Sequence, residues 1–293
     1  YNRHILLKVR DGTMGEEKII KNIVEELKGC PFIKGIVLGG SRATGTAAAD
    51  SDFDIGIYYE EGTIDYVQLN AAAKRLDDAS RDNLICREGE WGPWVNCGGW
   101  LVVDGRPVDL ILRNIARVKQ VIEKTDAGET AAHYQTGHPH AYLDVMYRGE
   151  LASCRILYAS DPDFERIKAH AEQYPAPLKS ALLNSFLFGS GFSCMLAKKG
   201  LSNNDIYCLT GHVFRSVSAL NQVLFALNEQ WCLNEKKAVF RIDTFRLAPL
   251  QYSMRVSKVF EELAPSPDKA LEMLERLCEE TKRLCESVST KGL

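Results

Sequence analysis

The segment LGGSRATGT (residues 38–46) leads into DSDFDI (residues 50–55) after three alanines. An apolar run, residues 32–38, ends at Gly39-Gly40, which predicts a strand that runs into a glycine turn. Backbone amides and the Ser41 hydroxyl become available there, at a predicted helix start where partial positive charge attracts phosphate. The first segment therefore predicts a phosphate-binding turn.

Asp52 and Asp54 flank Phe53 on the next predicted strand. Side chains alternate between the two faces of a strand, so both carboxylates project to one side while Phe53 enters the core on the other. Two neighbouring carboxylates repel each other unless a hard dication lies between them, and oxygen-only ligands suit Mg²⁺ or Mn²⁺. The alternative, a polar turn before a strand, also fits Asp-Ser-Asp, but the alternation that follows favours a metal site.

A third carboxylate, Asp109, lies on a predicted hairpin. Asp104-Gly105 separates two apolar runs, and an Asp-Gly pair in that position is a strong hairpin signal. Three apolar residues of the second strand share one face: Val108, Leu110 and Leu112. Asp109 lies on the opposite face, and an acid flanked by apolar residues is costly without a partner. A metal or catalytic role is favoured, although a salt bridge to Arg106 or Arg113 is an alternative.

Together, Gly40-Ser41, Asp52-Phe53-Asp54 and Asp109 resemble the signature of the DNA polymerase beta nucleotidyltransferase superfamily. Within that superfamily, residues 40–45 and 52–54 most resemble the bacterial antibiotic nucleotidyltransferases, which modify aminoglycosides and lincosamides, and their minimal relatives. The resemblance rests on the first part of the chain.

The resemblance implies an in-line attack of an acceptor hydroxyl on the α-phosphate of ATP or another NTP, assisted by two Mg²⁺ ions, with release of pyrophosphate. Asp52 and Asp54 would bridge the metals, and Asp109 would be a third ligand or the general base. The implied catalytic and metal-ligating residues are thus Asp52, Asp54 and Asp109.

The nucleotide-binding residues that the resemblance implies are Gly40, Ser41 and Arg42. Ser41 and the amides around Gly40 would hold the β and γ phosphates, with Arg42 as a supplementary contact.

The second half of the chain predicts helices. Strand signals fade after about Val118, and Asp161-Pro162-Asp163 starts a new helix. A helical stripe then follows at Val213, Val217, Leu220, Leu224, Leu227 and Trp231. We predict an α/β (α+β) fold, with a nucleotidyltransferase catalytic domain at residues 1–160 that has a short mixed sheet. A carboxy-terminal helical bundle, residues 161–293, is predicted to bind the substrate.

The composition narrows the range of partners. The net charge is -3 and the pI about 6.1, which disfavours an extended nucleic-acid partner. Nine scattered cysteines indicate reduced thiols of a cytoplasmic protein. The apolar run 186–196 is too short to span a bilayer of about 30 Å, so no membrane partner is expected. The oligomeric state stays open.

The leading functional hypothesis is transfer of an NMP, AMP foremost, from an NTP to a hydroxyl of a small molecule, with antibiotics as a candidate acceptor class. Two alternatives stay open: a protein or RNA acceptor, and a non-catalytic nucleotide-binding module of the toxin–antitoxin type. Glu88 and Glu90, beside Trp91 and Trp94, either line an acceptor pocket or belong to a solvated loop. His133, His138 and His140 are not interpreted as metal ligands, and residues 137–140 are predicted to form a loop near the active site.

Overall fold

The structure, a computed structural model, describes residues 2–289, with side chains from residue 15 to residue 288. The chain divides into two compact units. The first comprises the described residues up to Ile122 together with Tyr147–Gln173, and the second comprises Glu123–Met146 and the described residues from Tyr174 onwards. The predicted domain boundary between residues 160 and 161 stays a prediction.

The strands are β1 (Ile33–Leu38), β2 (Phe53–Tyr59), β3 (Cys97–Val103), β4 (Arg106–Asn114), β5 (Ala132–His133), β6 (Tyr142–Leu143) and β7 (Arg155–Ala159). The helices are α1 (Asn2–Leu27), α2 (Gly40–Ala43), α3 (Tyr66–Leu76), α4 (Ile115–Asp126), α5 (Val145–Ser153), α6 (Pro162–Glu172), α7 (Ala176–Ser202), α8 (Ile206–Leu227), α9 (Ala238–Ile242), α10 (Tyr252–Glu262) and α11 (Pro267–Ser289).

The first unit contains a five-stranded sheet of order β3-β4-β2-β1-β7. Strands β2 and β4 pair in parallel, whereas the other neighbours are antiparallel. The predicted α/β fold with a short mixed sheet is therefore confirmed. Strand β7 corrects the expectation that strands end near Val118. Its residues are half-buried or exposed, so the strand lacks the apolar alternation that sequence patterns detect.

The two faces of the sheet carry different side chains, buried apolar residues on one and the aspartates on the other. The core side of β2 and β4 carries six side chains that are fully buried: Phe53, Ile55, Ile57, Val108, Leu110 and Leu112. Burial of each large apolar side chain contributes roughly 1.5–3 kcal/mol, which fixes the register, because a slip of one residue would expose the whole set. Asp54 and Asp109 consequently lie on the opposite face.

The hairpin between β3 and β4 forms as predicted. Val103 pairs with Arg106, and the two turn residues, Asp104 and Gly105, have φ values of 49° and 71°. Two successive positive φ angles are typical of the type I′ turn, whose twist matches that of the flanking strands. This two-residue turn sets the register of the entire β3–β4 pair.

Arg148 of α5 is fully buried in the first unit. Its guanidinium donates to the carbonyls of Gln173 (2.8 Å), His170 (3.2 Å), Ala171 (3.3 Å) and Ile122 (3.3 Å). The first three carbonyls belong to the end of α6, where carbonyls lack the amide partners of the helix interior and a positive charge is favourable; the His170 carbonyl also accepts from the Gln173 amide at 3.2 Å. Arg148 therefore caps α6 from the interior of the unit.

The second unit is built mainly of helices, as predicted for the carboxy-terminal half. Five residues of the predicted stripe are buried on α8: Val213, Val217, Leu220, Leu224 and Leu227. Its last member, Trp231, lies beyond the end of the helix, where it packs on Tyr174 with ring centroids 4.5 Å apart. The helix predicted at Asp161 also forms, but as α6 it belongs to the first unit, and the Asp161 carboxylate caps it by accepting from the Asp163 amide.

Helix α7 is long and apolar enough, by length and composition alone, to cross a membrane. The core helix of a soluble protein can have the same length and composition. In α7, 28% of the most apolar 18-residue stretch is buried. The cytoplasmic location stays a prediction.

Candidate functional site

Asp52, Asp54 and Asp109 come together at one end of the sheet. Each offers a carboxylate oxygen, and these oxygens all lie within 4.8 Å of one another. Asp54 and Asp109 are directly paired on the parallel strands β2 and β4, while Asp52 immediately precedes β2. All three are half-buried, so the cluster is partly shielded from water yet open to a ligand.

The donor chemistry of this cluster fits a hard divalent cation. Three carboxylates held so close repel one another, and an oxygen-only ligand set suits Mg²⁺ or Mn²⁺ better than zinc. Within residues 15–288, it is the one group of three or more His, Cys, Asp or Glu with metal-ligand spacing. His133, His138 and His140 form no such group, and His133 instead lies 4.0 Å from the Asp144 carboxylate.

The glycine turn packs directly against Asp54. The Gly39 amide donates to the Asp54 carbonyl at 2.7 Å. Gly40 has a φ of 57°, and a Cβ at this position would lie 1.7 Å from the Asp54 carboxylate oxygen Oδ2. Position 40 therefore requires glycine for two reasons, its left-handed backbone and its close approach to the carboxylate.

We expect Gly40→Ala to lower kcat about 100-fold, because a displacement of a reacting group by about 1 Å has that effect. Gly45→Ala is the matched control, since Gly45 also has a positive φ, 71°, but a Cβ at position 45 would have no other atom within 4 Å. Steady-state kinetics of both variants check the prediction. Equal losses in the two variants would show that backbone strain, and not the contact with Asp54, limits the activity.

Helix α2 is a single turn that begins at Gly40. Its amides at the first positions have no carbonyl partner within the helix, and Ser41 is half-buried beside them. The structure thus places Gly40 and Ser41 next to the aspartates, as the sequence pattern requires. Their contact with phosphate stays a prediction.

Arg42 is bound within the protein. Its side chain is 4% exposed, and its nitrogens donate to the Asp52 carbonyl at 2.9 Å, to the Ser51 carbonyl and to the Glu16 carboxylate. The guanidinium also lies 4.0 Å from the centroid of the Phe53 ring. These contacts fix the backbone on both sides of Asp52, so they support a positioning role, and the phosphate contact of Arg42 stays a prediction.

The loop between α3 and β3 is tied to the sheet by a hydrogen-bonded chain. The buried Asn96 amide donates to the Tyr59 hydroxyl at 2.9 Å, and that hydroxyl donates to the Glu88 carboxylate at 2.5 Å. Burial, followed by the hydrogen bond to Glu88, raises the pKa of Tyr59, so the phenol stays a donor. Glu88 therefore has a structural partner, which the sequence did not indicate.

Trp100 is a residue that no sequence motif singled out. It pairs with Asp109 across β3 and β4, so the two side chains lie on the same face, and Trp100 is 61% exposed. The sequence nevertheless contains the information that places Trp100 beside Asp109. A two-residue turn at Asp104-Gly105 pairs residue 103 with 106 and hence residue 100 with 109.

Residues 17–129 match the sequence model of the family described as "Nucleotidyltransferase domain". No curated protein matches the chain. Among solved structures, a nucleotidyltransferase-like protein from Exiguobacterium sibiricum is similar, with 11% identity, a TM-score of 0.43 and coverage of 93% of this chain and 75% of that one. Another is spectinomycin adenyltransferase AAD(9) from Enterococcus faecialis, solved with ATP and spectinomycin, with 14% identity, a TM-score of 0.38 and coverage of 92% and 99%.

Proposed function

We propose that this chain is a nucleotidyltransferase that moves AMP from ATP to a hydroxyl of a small molecule; the match of residues 17–129 to the nucleotidyltransferase-domain model supports the reaction class. The observation that carries the proposal is the convergence of three carboxylate oxygens within 4.8 Å beside the Gly40 turn. Antibiotics are the proposed acceptor class. The acidic pI of about 6.1 supports a small acceptor over an extended nucleic acid, and the cytoplasm is the proposed location.

Asp52, Asp54 and Asp109 would hold two Mg²⁺ ions. When bound, such ions stabilise the charge that develops on the transferred phosphoryl group and favour ionisation of the acceptor hydroxyl. The amides at Gly40 and the Ser41 hydroxyl would orient the β and γ phosphates. Arg42 would keep Asp52 in place through the carbonyls of Ser51 and of Asp52 itself.

In the proposed reaction, the acceptor oxygen forms a bond to the α-phosphorus as the bond to the β-phosphate oxygen breaks. Pyrophosphate leaves on the side opposite the incoming hydroxyl, because the displacement is in line. The hydroxyl proton passes to a base, for which Asp109 is the candidate in this chain.

The test is pyrophosphate release from each of the four NTPs with Mg²⁺, measured against a panel of aminoglycosides and lincosamides. We expect release with ATP that requires both an acceptor and Mg²⁺ and that disappears in the Asp52→Ala, Asp54→Ala double variant. Chelation of the metal should abolish release, and restored Mg²⁺ should recover it.

Two results would contradict the proposal. Acceptor-dependent release that persists in the double variant would exclude these aspartates from the reaction. Label from radioactive ATP that stays on macromolecules of a lysate, with no release from the panel, would replace the small-molecule acceptor by a protein or RNA.

A further inference from the structure

Two tryptophan rings form an exposed aromatic surface in the first unit. Trp91 and Trp100 stack with centroids 4.6 Å apart and an interplanar angle of 22°. Trp91 lies over Gly98, where a Cβ would be 2.5 Å from the indole, so the glycine lets the ring rest on β3. Trp100 is 61% exposed, and together with Trp91 it forms a contiguous apolar patch of the kind that marks ligand-binding surfaces.

This surface adjoins the aspartates. Asp54 pairs with Asp109, and Asp109 pairs with Trp100, so the three side chains form a row across neighbouring strands on one face. Paired residues on adjacent strands have Cα atoms roughly 5 Å apart. The indole of Trp100 is therefore within reach of a small molecule whose hydroxyl lies at the aspartates.

The strand order distinguishes the two sides of this row. Four neighbouring strands follow one another across the sheet in the order β1, β2, β4, β3. Strand β1 leads into the Gly40-Ser41 turn, and the next three carry Asp54, Asp109 and Trp100, respectively. In an in-line displacement the acceptor enters opposite the leaving pyrophosphate. If the turn holds the β and γ phosphates, as in the proposed function on which this inference rests, the acceptor enters from the side of Asp109 and Trp100.

We propose that Trp91 and Trp100 are the acceptor-binding platform of this enzyme, on which a hydroxylated, cationic ring compound lies. Aromatic faces attract cations and the apolar faces of rings. Three aspartates and a triphosphate carry more negative charge than two divalent ions neutralise, so the surroundings also favour a cationic acceptor.

The platform is held rigidly. On the outer edge of β3, Arg81 donates to the Trp100 carbonyl at 3.1 Å, and the Asp77 carboxylate accepts from the Val102 amide at 3.0 Å. The Arg81 guanidinium donates two hydrogen bonds to the Asp77 carboxylate and holds its pKa well below the usual range. The Asp77–Arg81 ion pair beside β3 therefore stays charged. A rigid aromatic surface binds a ligand without the loss of conformational entropy that a mobile side chain incurs.

The experiment compares Trp100→Ala with Val102→Ala, which removes another exposed side chain of the same strand. Aminoglycosides and lincosamides are the acceptor probes, and ATP with Mg²⁺ is the nucleotide probe. We expect Trp100→Ala to raise the KM for the acceptor about 10- to 30-fold, the effect of losing a desolvated cation–π contact. The KM for ATP should stay within about twofold, Val102→Ala should resemble wild type, and Trp100→Phe should restore most of the acceptor affinity.

Binding is measured separately by quenching of tryptophan fluorescence, without nucleotide. Quenching by an acceptor probe in wild type that needs a much higher probe concentration in Trp100→Ala, but not in Val102→Ala, supports the platform. A rise in the KM for ATP alone would assign the platform to the nucleobase and overturn the proposal. An unchanged acceptor KM in Trp100→Ala, or no quenching by any probe that is turned over, would also overturn it. Failure of the proposed function is distinct, because wild type would then release no pyrophosphate.

Discussion

An Asp54→Asn variant is expected to lose about 1,000-fold or more in kcat while its fold stays intact. A metal ion contributes several kcal/mol to the stabilisation of transition-state charge, and each increment of about 1.4 kcal/mol corresponds to a tenfold change in rate. Asparagine keeps the shape of the side chain, and the Gly39 amide still has the carbonyl of residue 54 as its acceptor. The loss should therefore reflect the missing charge.

The matched control is Asp50→Asn, because Asp50 is exposed and lies just before the site, and its substitution removes the same formal charge. The kcat of this variant should stay within about twofold of wild type. Calorimetric titration with Mn²⁺ gives a second readout, in which Asp54→Asn should bind at least about tenfold more weakly. Activity of Asp54→Asn within tenfold of wild type would remove the paired carboxylates from the mechanism.

The second large effect concerns stability. We expect Arg148→Met to lower the free energy of unfolding by about 3–5 kcal/mol, because Arg148 donates to four carbonyls and a buried carbonyl left without its donor costs roughly 1–3 kcal/mol. Methionine has a comparable apolar stem but no donor, so the carbonyls at the end of α6 lose their hydrogen bonds in the interior. Urea unfolding followed by circular dichroism measures the change.

Arg166→Met provides the comparison for Arg148→Met. Arg166 also belongs to the first unit, but its side chain is 72% exposed and pairs with Asp163 at the surface. Exposed pairs contribute about 0–1 kcal/mol, so this variant should unfold near the wild-type midpoint. If both variants shifted the midpoint equally, the interior cap of α6 would have no special importance.

The aspartate cluster could be predicted from the local sequence pattern alone. The period of a strand places Asp52 and Asp54 on one side, and the apolar neighbours of Asp109 place it on the solvent face of β4. The Asp104-Gly105 pair also contains the register of the hairpin, from which the proximity of Trp100 to Asp109 can be deduced. These features depend on residues close in sequence, which is why they can be predicted.

Other features depend on tertiary contacts. The sequence suggests a phosphate contact for Arg42, but the folded chain brings Glu16 and the Asp52 carbonyl to its guanidinium. The hydrogen bond between Tyr59 and Glu88 likewise joins segments far apart in the chain. Strand β7 was missed because its pairing with β1, and not its own apolar pattern, makes it a strand. Such contacts form only once the sheet has assembled.

The parallel pairing of β2 with β4 determines when, during folding, the three-aspartate cluster is completed. Helix α3 and strand β3 separate the two strands in the chain, so the segments carrying Asp54 and Asp109 meet only through a non-local contact, and non-local contacts form slowly during folding. An unfolded or partly folded chain holds the Asp52–Asp54 pair but lacks the third carboxylate beside it. The proposed metal site is therefore complete only in the assembled sheet, and a divalent ion bound there would stabilise the native chain by mass action.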